Sequence, residues 1–324
     1  MASAPPMRIV VAICTWNRCE LLRQTLEGLK ALVIPADVTW EVLVVNNNCT
    51  DATDSVVAEF TRMLPVRLVH EQVPGLSNAR NRALRESRAD YIVFTDDDVQ
   101  VESGWLHAFV EAARTWPAAA VFGGPVHPWF PVLPDPELFE AFPAIRNGFC
   151  GIDHRRLLGP LPSPLRLTGA NMAFKLDTLG TLQFDPALGV NQASLGGSEE
   201  TAYITALRAR GEEVVWVPSM LLRHYVDPAR MQLGYLIRLA RDRGRSAVRE
   251  KGVPRAAKIA GAPVRFWVRL ATASVRAGRA YLSGHRIRAA GHFATAEAAR
   301  AKISECWAVR RRAGLHRRGH EVSR

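Results

Sequence analysis

At 324 residues, with 48% hydrophobic and 23% charged residues, the chain is long enough to bury a sizeable core and too apolar to be disordered throughout. Its five cysteines, Cys14, Cys19, Cys49, Cys150 and Cys306, have neither the C-x-x-C spacing of a zinc site nor the density of a disulfide scaffold, which points to a reducing, cytoplasmic compartment. The net charge of +11 is unevenly placed: residues 229–324 carry 23 Lys+Arg against 5 Asp+Glu and the rest 19 against 26, so an acidic body over 1–228 precedes a basic region over 229–324.

The first apolar run, "MRIVVAIC", has one arginine and leads straight into polar residues, so it predicts a buried strand and not a signal peptide. In chain order there follow a helix ("CELLRQTLEGLKAL"), a strand ("WEVLVVNN"), a helix ("ATDSVVAEFTRML"), a strand ("VRLVHE"), a helix with Ser77 as N-cap ("LSNARNRALRES") and a strand ("ADYIVFT"). Strands separated by helices imply an α/β, Rossmann-like architecture: a mostly parallel central sheet flanked by helices, with ligands beyond the carboxyl ends of the strands.

Three of those ends are polar: "TWNR" at 15–18, "NNNCTDAT" at 46–53 and "TDDD" at 95–98. Taken singly, each reads as a turn, because Asn, Asp and Thr dominate turns through side-chain to backbone hydrogen bonds. Taken together on parallel strands, they converge on one sheet edge.

Three consecutive carboxylates, Asp96, Asp97 and Asp98, resist the turn reading. They repel one another unless a cation or hydrogen-bond donors neutralise them, and exposure at the end of a buried strand is only partial. Hard divalent cations such as Mg²⁺ or Mn²⁺ take such oxygen ligands together with substrate phosphates. In extended chain Asp96 and Asp98 point to one side and Asp97 to the other, so Asp96 and Asp98 form the candidate metal and nucleotide contact.

As a set, "VVAICTWNR", "EVLVVNNNCTDAT", "VPGLSNARNRAL", "YIVFTDDDVQVESGWL", "LTGANMAF", "FDPALG" and "GGSEETAYITALRARGEEVVWVPSMLLRH" resemble, in order and spacing, the motifs of family 2 glycosyltransferases of the GT-A fold, over roughly residues 7 to 226. The resemblance implies transfer of a sugar from a nucleoside diphosphate donor with inversion, in cell-envelope polysaccharide synthesis. Asp96 would lie near the ribose and Asp98 would ligate the metal on the diphosphate. Thr15, Asn17, Arg18, Asn46, Asn48 and Asp51 would line the nucleoside pocket, with Arg80 approaching the donor and Asn171 of "GANMAF" beside the donor sugar. Many relatives have aspartate at the Asn46 position. An amide both donates and accepts, so the base preference stays open between uracil, guanine and others, with a UDP-sugar as the default.

In "GGSEETAYITALRARG" two glycines precede Glu199 and Glu200, which open a helix where negative charge is favoured. The residue types alone fit a capping pair. The family often has Glu-Asp here with the second residue as base, which makes Glu200 the expected catalytic base and Glu199 its alternate. His224 ends a strand-like run; a lone histidine is ordinarily structural or exposed, whereas the family position can complete the metal or diphosphate site.

Within the body, 1–122 is the expected nucleotide-binding half and 123–228 the acceptor and catalytic half. Residues 123–168 are rich in Pro and aromatics without a regular period and are expected to form part of the acceptor wall, where Trp129, Phe130 and Phe142 are available to stack on sugar or lipid. The acceptor class is a glycan or a lipid-linked saccharide.

In the basic region, 263–283 predicts a helix with Arg265, Arg269 and Arg276 on one side and Val264, Trp267, Val268, Ala271, Val275 and Leu282 over much of the other. Such a helix suits the interface of an anionic membrane, at the inner face of the cytoplasmic membrane, or else packs on the catalytic body with a solvated basic face. The last residues, "WAVRRRAGLHRRGHEVSR", are expected to be disordered.

Two other classes compete. A nucleic-acid-binding protein explains the basic region but lacks a recognised motif and has an acidic body. A nucleotidyltransferase needs a phosphate-gripping loop after the first strand, where only Arg18 is on offer.

Overall fold

The structure, a computed structural model, describes residues 5–188 and 199–321. They fall into two compact units, one drawn from Met1–Trp129, Asn147–Ala193 and Gly197–Val226, the other from Phe130–Arg146 and Asp227–Arg324. Residues 130–146 thus go with the C-terminal unit, although the sequence groups them with the body.

The first unit opens with alternating elements: β1 (Met7–Thr15), α1 (Cys19–Leu29), β2 (Val38–Asn46), α2 (Thr53–Phe60), β3 (Val66–His70), α3 (Leu76–Glu86) and β4 (Tyr91–Asp96). There follow β5 (Val99–Val101), α4 (Trp105–Thr115), β6 (Val121–Gly123), β7 (Val126–Trp129), β8 (Gly159–Pro160), β9 (Asn171–Lys175), α6 (Leu176–Leu179), α7 (Glu199–Ala209), β10 (Val214–Trp216) and β11 (Leu222–Tyr225), with α5 (Pro136–Ala141) belonging to the other unit. The main sheet has the order β3-β2-β1-β4-β9-β6-β10-β8. β1, β2, β3 and β4 pair in parallel, as the alternation predicts, whereas β9 inserts antiparallel between β4 and β6.

The strands read as continuous apolar runs because both faces are covered. Ile9, Val11 and Ile13 of β1 join one core with Leu22, Leu26, Trp105 and Phe109; Val10 and Ala12 join the other with Phe94, Phe174, Phe184 and Tyr203. In this second core Phe184 and Tyr203 stack at 4.1 Å between ring centroids.

Two local expectations are corrected. α3 begins at Leu76 after Gly75, whose φ of 121° suits glycine, and Ser77 lies inside the helix with its hydroxyl donating to the Asp185 carbonyl. Residues 123–168 are not irregular throughout: β7 joins a small second sheet of order β5-β11-β7, and α5 is capped by Asp135, which accepts from the Glu137 N–H. Short elements of four to six residues give no periodic signal, which is why the sequence hid them.

In the second unit, α8 (Leu233–Lys251), α9 (Val264–Leu282) and α10 (Arg286–Glu321) pack around α10, with a two-strand turn of β12 (Lys258–Ile259) and β13 (Ala262–Pro263). α10 runs on to Glu321 where disorder was expected. Gly244 of α8 and Gly291 of α10 allow close backbone approach: a Cβ would stand 2.5 Å from the Ala298 carbonyl oxygen and 2.6 Å from that of Ala141. Arg241 pairs with Glu297 and Arg249 with Glu305, tying α8 to α10, and Arg312 of α10 also pairs with Glu305.

Candidate active site

Register brings the polar strand ends together. Thr15 pairs with Asn46 between β1 and β2, and Cys14 with Asp96 between β1 and β4. The second sheet adds His224, which pairs with Val99, one residue after the aspartate run.

Asp96, Asp98 and His224 each offer a ligand atom, all within 4.8 Å of one another. His224 Nε2 lies 3.2 Å from Asp96 Oδ2 and 3.1 Å from Asp98 Oδ1, and Asp98 is only 2% exposed. The other ring nitrogen, Nδ1, faces the Tyr225 carbonyl oxygen at 2.9 Å; donation there turns Nε2 toward the carboxylates. Asp98 Oδ1 is buried and has no hydrogen-bond partner, its contact with His224 lacking hydrogen-bond direction. A buried carboxylate oxygen without a donor, a second carboxylate and an imidazole nitrogen that gives up its proton on binding together form a donor set that fits a divalent cation. Burial opposes charge on both Asp96 and His224, yet each keeps it: His224, Arg80 and Arg18 hold the Asp96 carboxyl below its usual range, and Asp98 and Asp96 raise the imidazole well above its own.

Asp97 turns away from this group, as expected, but through a turn: β4 ends at Asp96, and Asp97 and Asp98 are not in the extended chain that the expectation assumed. Its Oδ2 accepts from the Thr15 hydroxyl at 2.7 Å, and Arg18 Nη1 lies 3.2 Å from Asp97 Oδ1 and 2.8 Å from Asp98 Oδ2. Burial, then repulsion from Asp98, pushes the Asp97 carboxyl up to about 7. Thr15 and Arg18, both expected to meet the donor, therefore also brace the aspartate run.

A second charged group adjoins the first through Arg80. Arg80 Nη1 donates to Glu199 Oε1 at 2.7 Å, and Nη2 lies 4.0 Å from Asp96 Oδ1. The guanidinium sits over the Phe184 ring at 5.6 Å and against Gly169, where a Cβ would stand 2.1 Å from Nη2. Glu199 is 2% exposed, whereas Glu200 is half-buried; burial, then the Glu199 charge, raises the Glu200 carboxyl above its usual range against the pull of Arg80. The glycines and serine before Glu199 lie outside the described residues.

The remaining expected residues hold loops. Asn17 and Asn48 have φ of 53° and 65°. Asn17 Oδ1 accepts from the Thr50 N–H, and Asn48 Nδ2 donates to the Gln72 carbonyl. Asp51 accepts from the backbone of Cys19 and from Thr53, at the starts of α1 and α2. Asn46 Nδ2 donates to Asp54 and its Oδ1 accepts from the Cys49 N–H, so its amide is already engaged on both sides.

Asn171 is placed differently from the expectation. It is fully buried, accepts from Trp105 Nε1 and donates to the carbonyls of Pro125 and Met220, which leaves no amide N–H for a sugar hydroxyl. Phe142 is likewise buried, while Trp129 is half-buried edge-on to Tyr225. Sequence reasoning missed Asp54, which holds Asn46 and His70, and Gly169; its only signal was the small residue in "LTGANMAF".

Residues 10–136 match the family described as Glycosyl transferase family 2. The succinoglycan biosynthesis protein ExoM of Rhizobium meliloti (strain 1021) is 27% identical over 245 residues, 71% of this chain and 71% of that protein. Validoxylamine A glucosyltransferase of Streptomyces hygroscopicus subsp. jinggangensis (strain 5008) is 34% identical over 139 residues, 41% of this chain and 32% of its own. Among solved structures, the mannosyltransferase PcManGT from Pyrobaculum calidifontis, in complex with GDP-Man and Mn2+, superposes with a TM-score of 0.56 at 21% identity, over 93% of this chain and 90% of that one. S. aureus TarS 1-349 in complex with UDP-GlcNAc gives 0.54 at 13% identity, over 94% and 92%. These likenesses establish the fold as GT-A-like.

Proposed function

The chain is a glycosyltransferase of family 2, and on that premise we propose that it moves a sugar from a nucleoside diphosphate donor to a hydroxyl of a glycan or lipid-linked acceptor by metal-assisted, inverting displacement. The observation that carries this reading is the convergence of Asp96, Asp98 and His224 at the sheet edge, with Arg80 linking Asp96 to Glu199.

Asp96, Asp98 and His224 would hold a divalent cation, Mg²⁺ or Mn²⁺, which when bound to the diphosphate stabilises the charge developing on the departing nucleotide. The relative solved with GDP-Man and Mn2+ supports that choice of metal and of donor class. Arg18 would keep the aspartate run in place through its contacts with Asp97 and Asp98, and Thr15 through its hydrogen bond to Asp97.

Glu200 is the base. Glu199 is tied to Arg80, whereas Glu200 has a carboxyl raised toward the range in which a base works at neutral pH. The acceptor oxygen bonds to the anomeric carbon from the face opposite the diphosphate, its proton passes to Glu200, and the breaking carbon–oxygen bond leaves its electron pair on the β-phosphate. That geometry inverts the anomeric carbon.

For the base of the donor, UDP remains the default and GDP its alternate, since relatives have been solved with each type. Asn171 drops out of the donor set because its amide is used internally. The likeness to ExoM supports a place in polysaccharide synthesis.

The test is thermal unfolding with UDP, GDP and their sugars, with and without Mn²⁺, since a ligand of the native state raises the midpoint. A metal-dependent rise with one base, followed by release of that nucleoside diphosphate on turnover, is expected. No rise with any donor in folded protein, or release of pyrophosphate, would overturn the reading.

A further inference from the structure

The C-terminal unit carries an arrangement that sugar transfer does not use. α9 docks on α10 through a narrow face of Phe266, Ala273 and Ala280, spaced seven residues apart. On a helix of 3.6 residues per turn the opposite face is Val264, Val268, Ala271, Val275 and Leu282. That face is turned outward: Val268 is 55% exposed, Val275 62% and Leu282 86%, with Tyr281 beside them at 67%.

One flank of this apolar stripe is a row of exposed arginines, Arg265, Arg269, Arg276 and Arg279. α9 contains no Asp or Glu. Asp242 pairs with Arg245, Glu297 with Arg241 and Arg300, and Glu305 with Arg249 and Arg312, none of them with an arginine of α9. Arg269, Arg276 and Arg279 are exposed, and none of them forms an ion pair with a carboxylate among the described residues. Arg241, Arg249 and Arg312 are neutralised within the bundle, whereas the arginines of α9 lie on a helix that also displays apolar side chains.

We infer that the outward face of α9 seats on an anionic lipid bilayer, with Val268, Val275 and Leu282 below the headgroups and the arginine row among the lipid phosphates. The stripe supplies apolar burial and the row supplies attraction to negative headgroups, the two contributions an in-plane helix combines. Lying in the interface suits α9, since no described helix is long and apolar enough to cross a membrane. Nucleic acid fits less well, because its phosphates would meet the arginines but leave the central valines and leucine without an apolar partner. A second copy fits less well too, because a two-fold pairing of this face sets one arginine row beside another.

The full chain is sedimented with vesicles of phosphatidylcholine alone and of phosphatidylcholine with phosphatidylglycerol in equal parts; this needs no donor or acceptor, so its outcome is separate from the sugar-transfer reading. Binding to the anionic vesicles, reversed by high salt, is expected. The exposed-site variant Val268→Ser/Val275→Ser/Leu282→Ser should lose more than about tenfold in partitioning with an unchanged melting temperature. Arg269→Gln/Arg276→Gln/Arg279→Gln should lose roughly fivefold per arginine, and only on anionic vesicles. The inference is overturned by absence of binding to anionic vesicles at low salt or by serine and glutamine variants that bind like the parent. It is equally overturned by duplex DNA binding in place of vesicles, or by a dimer in light scattering that the serine variant dissolves.

Discussion

Arg80 and Glu199 form a buried ion pair, 2.7 Å from Nη1 to Oε1, between side chains only 4% and 2% exposed and 119 residues apart in sequence. The same guanidinium reaches toward Asp96 at 4.0 Å, so one cation stands between a candidate metal ligand and Glu199, the neighbour of the candidate base. Burial by itself lowers the Arg80 pKa, but Glu199 and Asp96 more than offset it and raise it. Glu199 is thereby held in an ion pair, which is why Glu200 is the residue proposed as the base.

Glu200→Gln keeps shape and hydrogen bonding while removing the basic oxygen. Donor binding, read as the metal-dependent thermal shift, should be unchanged and kcat should fall by about 10²- to 10⁴-fold. Turnover at the parent rate in Glu200→Gln would move the base elsewhere.

Because burial and the Glu199 charge raise the Glu200 pKa, the acid limb of kcat should lie above the ordinary glutamate range of about 4.3. The sign follows from the chemistry: only the ionised carboxylate accepts the acceptor's proton, so activity is present above the raised pKa and lost as pH falls through it. A pH profile of kcat measures this, and a limb at or below the ordinary value would contradict the assignment.

Breaking the buried pair from one side should be costly. Arg80→Leu strands the Glu199 carboxylate and should lower stability by about 3–5 kcal/mol, whereas Arg80→Leu/Glu199→Leu, which removes both charges, should recover a large part of it. Denaturant unfolding of the two variants decides; equal stability of single and double variants would mean the pair is not coupled as its geometry implies.

Asp98→Ala removes the most deeply buried ligand of the triad. The protein should stay folded, since Arg18 retains Asp97 as partner at 3.2 Å, but the Mn²⁺-dependent part of the donor-induced thermal shift should vanish. A full metal-dependent shift in Asp98→Ala would sink the proposed metal site.

Much of this was legible in the sequence, for physical reasons that also mark where legibility ended. β1, β2 and β4 read as strands because burial on both faces makes them apolar throughout, and Asp96 and Asp98 stood out because charge at the end of such a run demands a partner. β9 was not legible as an antiparallel insertion, since five residues fix no direction and the pairing is decided by distant strands. The saturation of Asn171 by Trp105, Pro125 and Met220 was equally hidden: residue type gives its donors and acceptors, not who occupies them. The Arg80–Glu199 pair had no local pattern to betray it.

Gly169 supplies the sharpest test of how the fold serves the site, because its role is space and not conformational freedom. A Cβ there would stand 2.1 Å from Arg80 Nη2 and 2.9 Å from its Cζ, so Gly169→Ala must push the guanidinium aside. The side chain cannot swing freely: Glu199 holds Nη1, and the rings of Phe94 and Phe184 lie beneath at 6.0 and 5.6 Å. Displacement should weaken the hold on Glu199 and disturb Asp96 together, cutting kcat by about tenfold or more and lowering the melting temperature, although position 169 bears no functional group. Activity and melting should fall in parallel in Gly169→Ala and should be partly restored in Gly169→Ala/Arg80→Lys, whose slimmer ammonium leaves room for the added methyl. An alanine variant with parent activity and stability would show that Arg80 is free to move, and that its bridge between Asp96 and Glu199 is not what holds the two carboxylate groups in register.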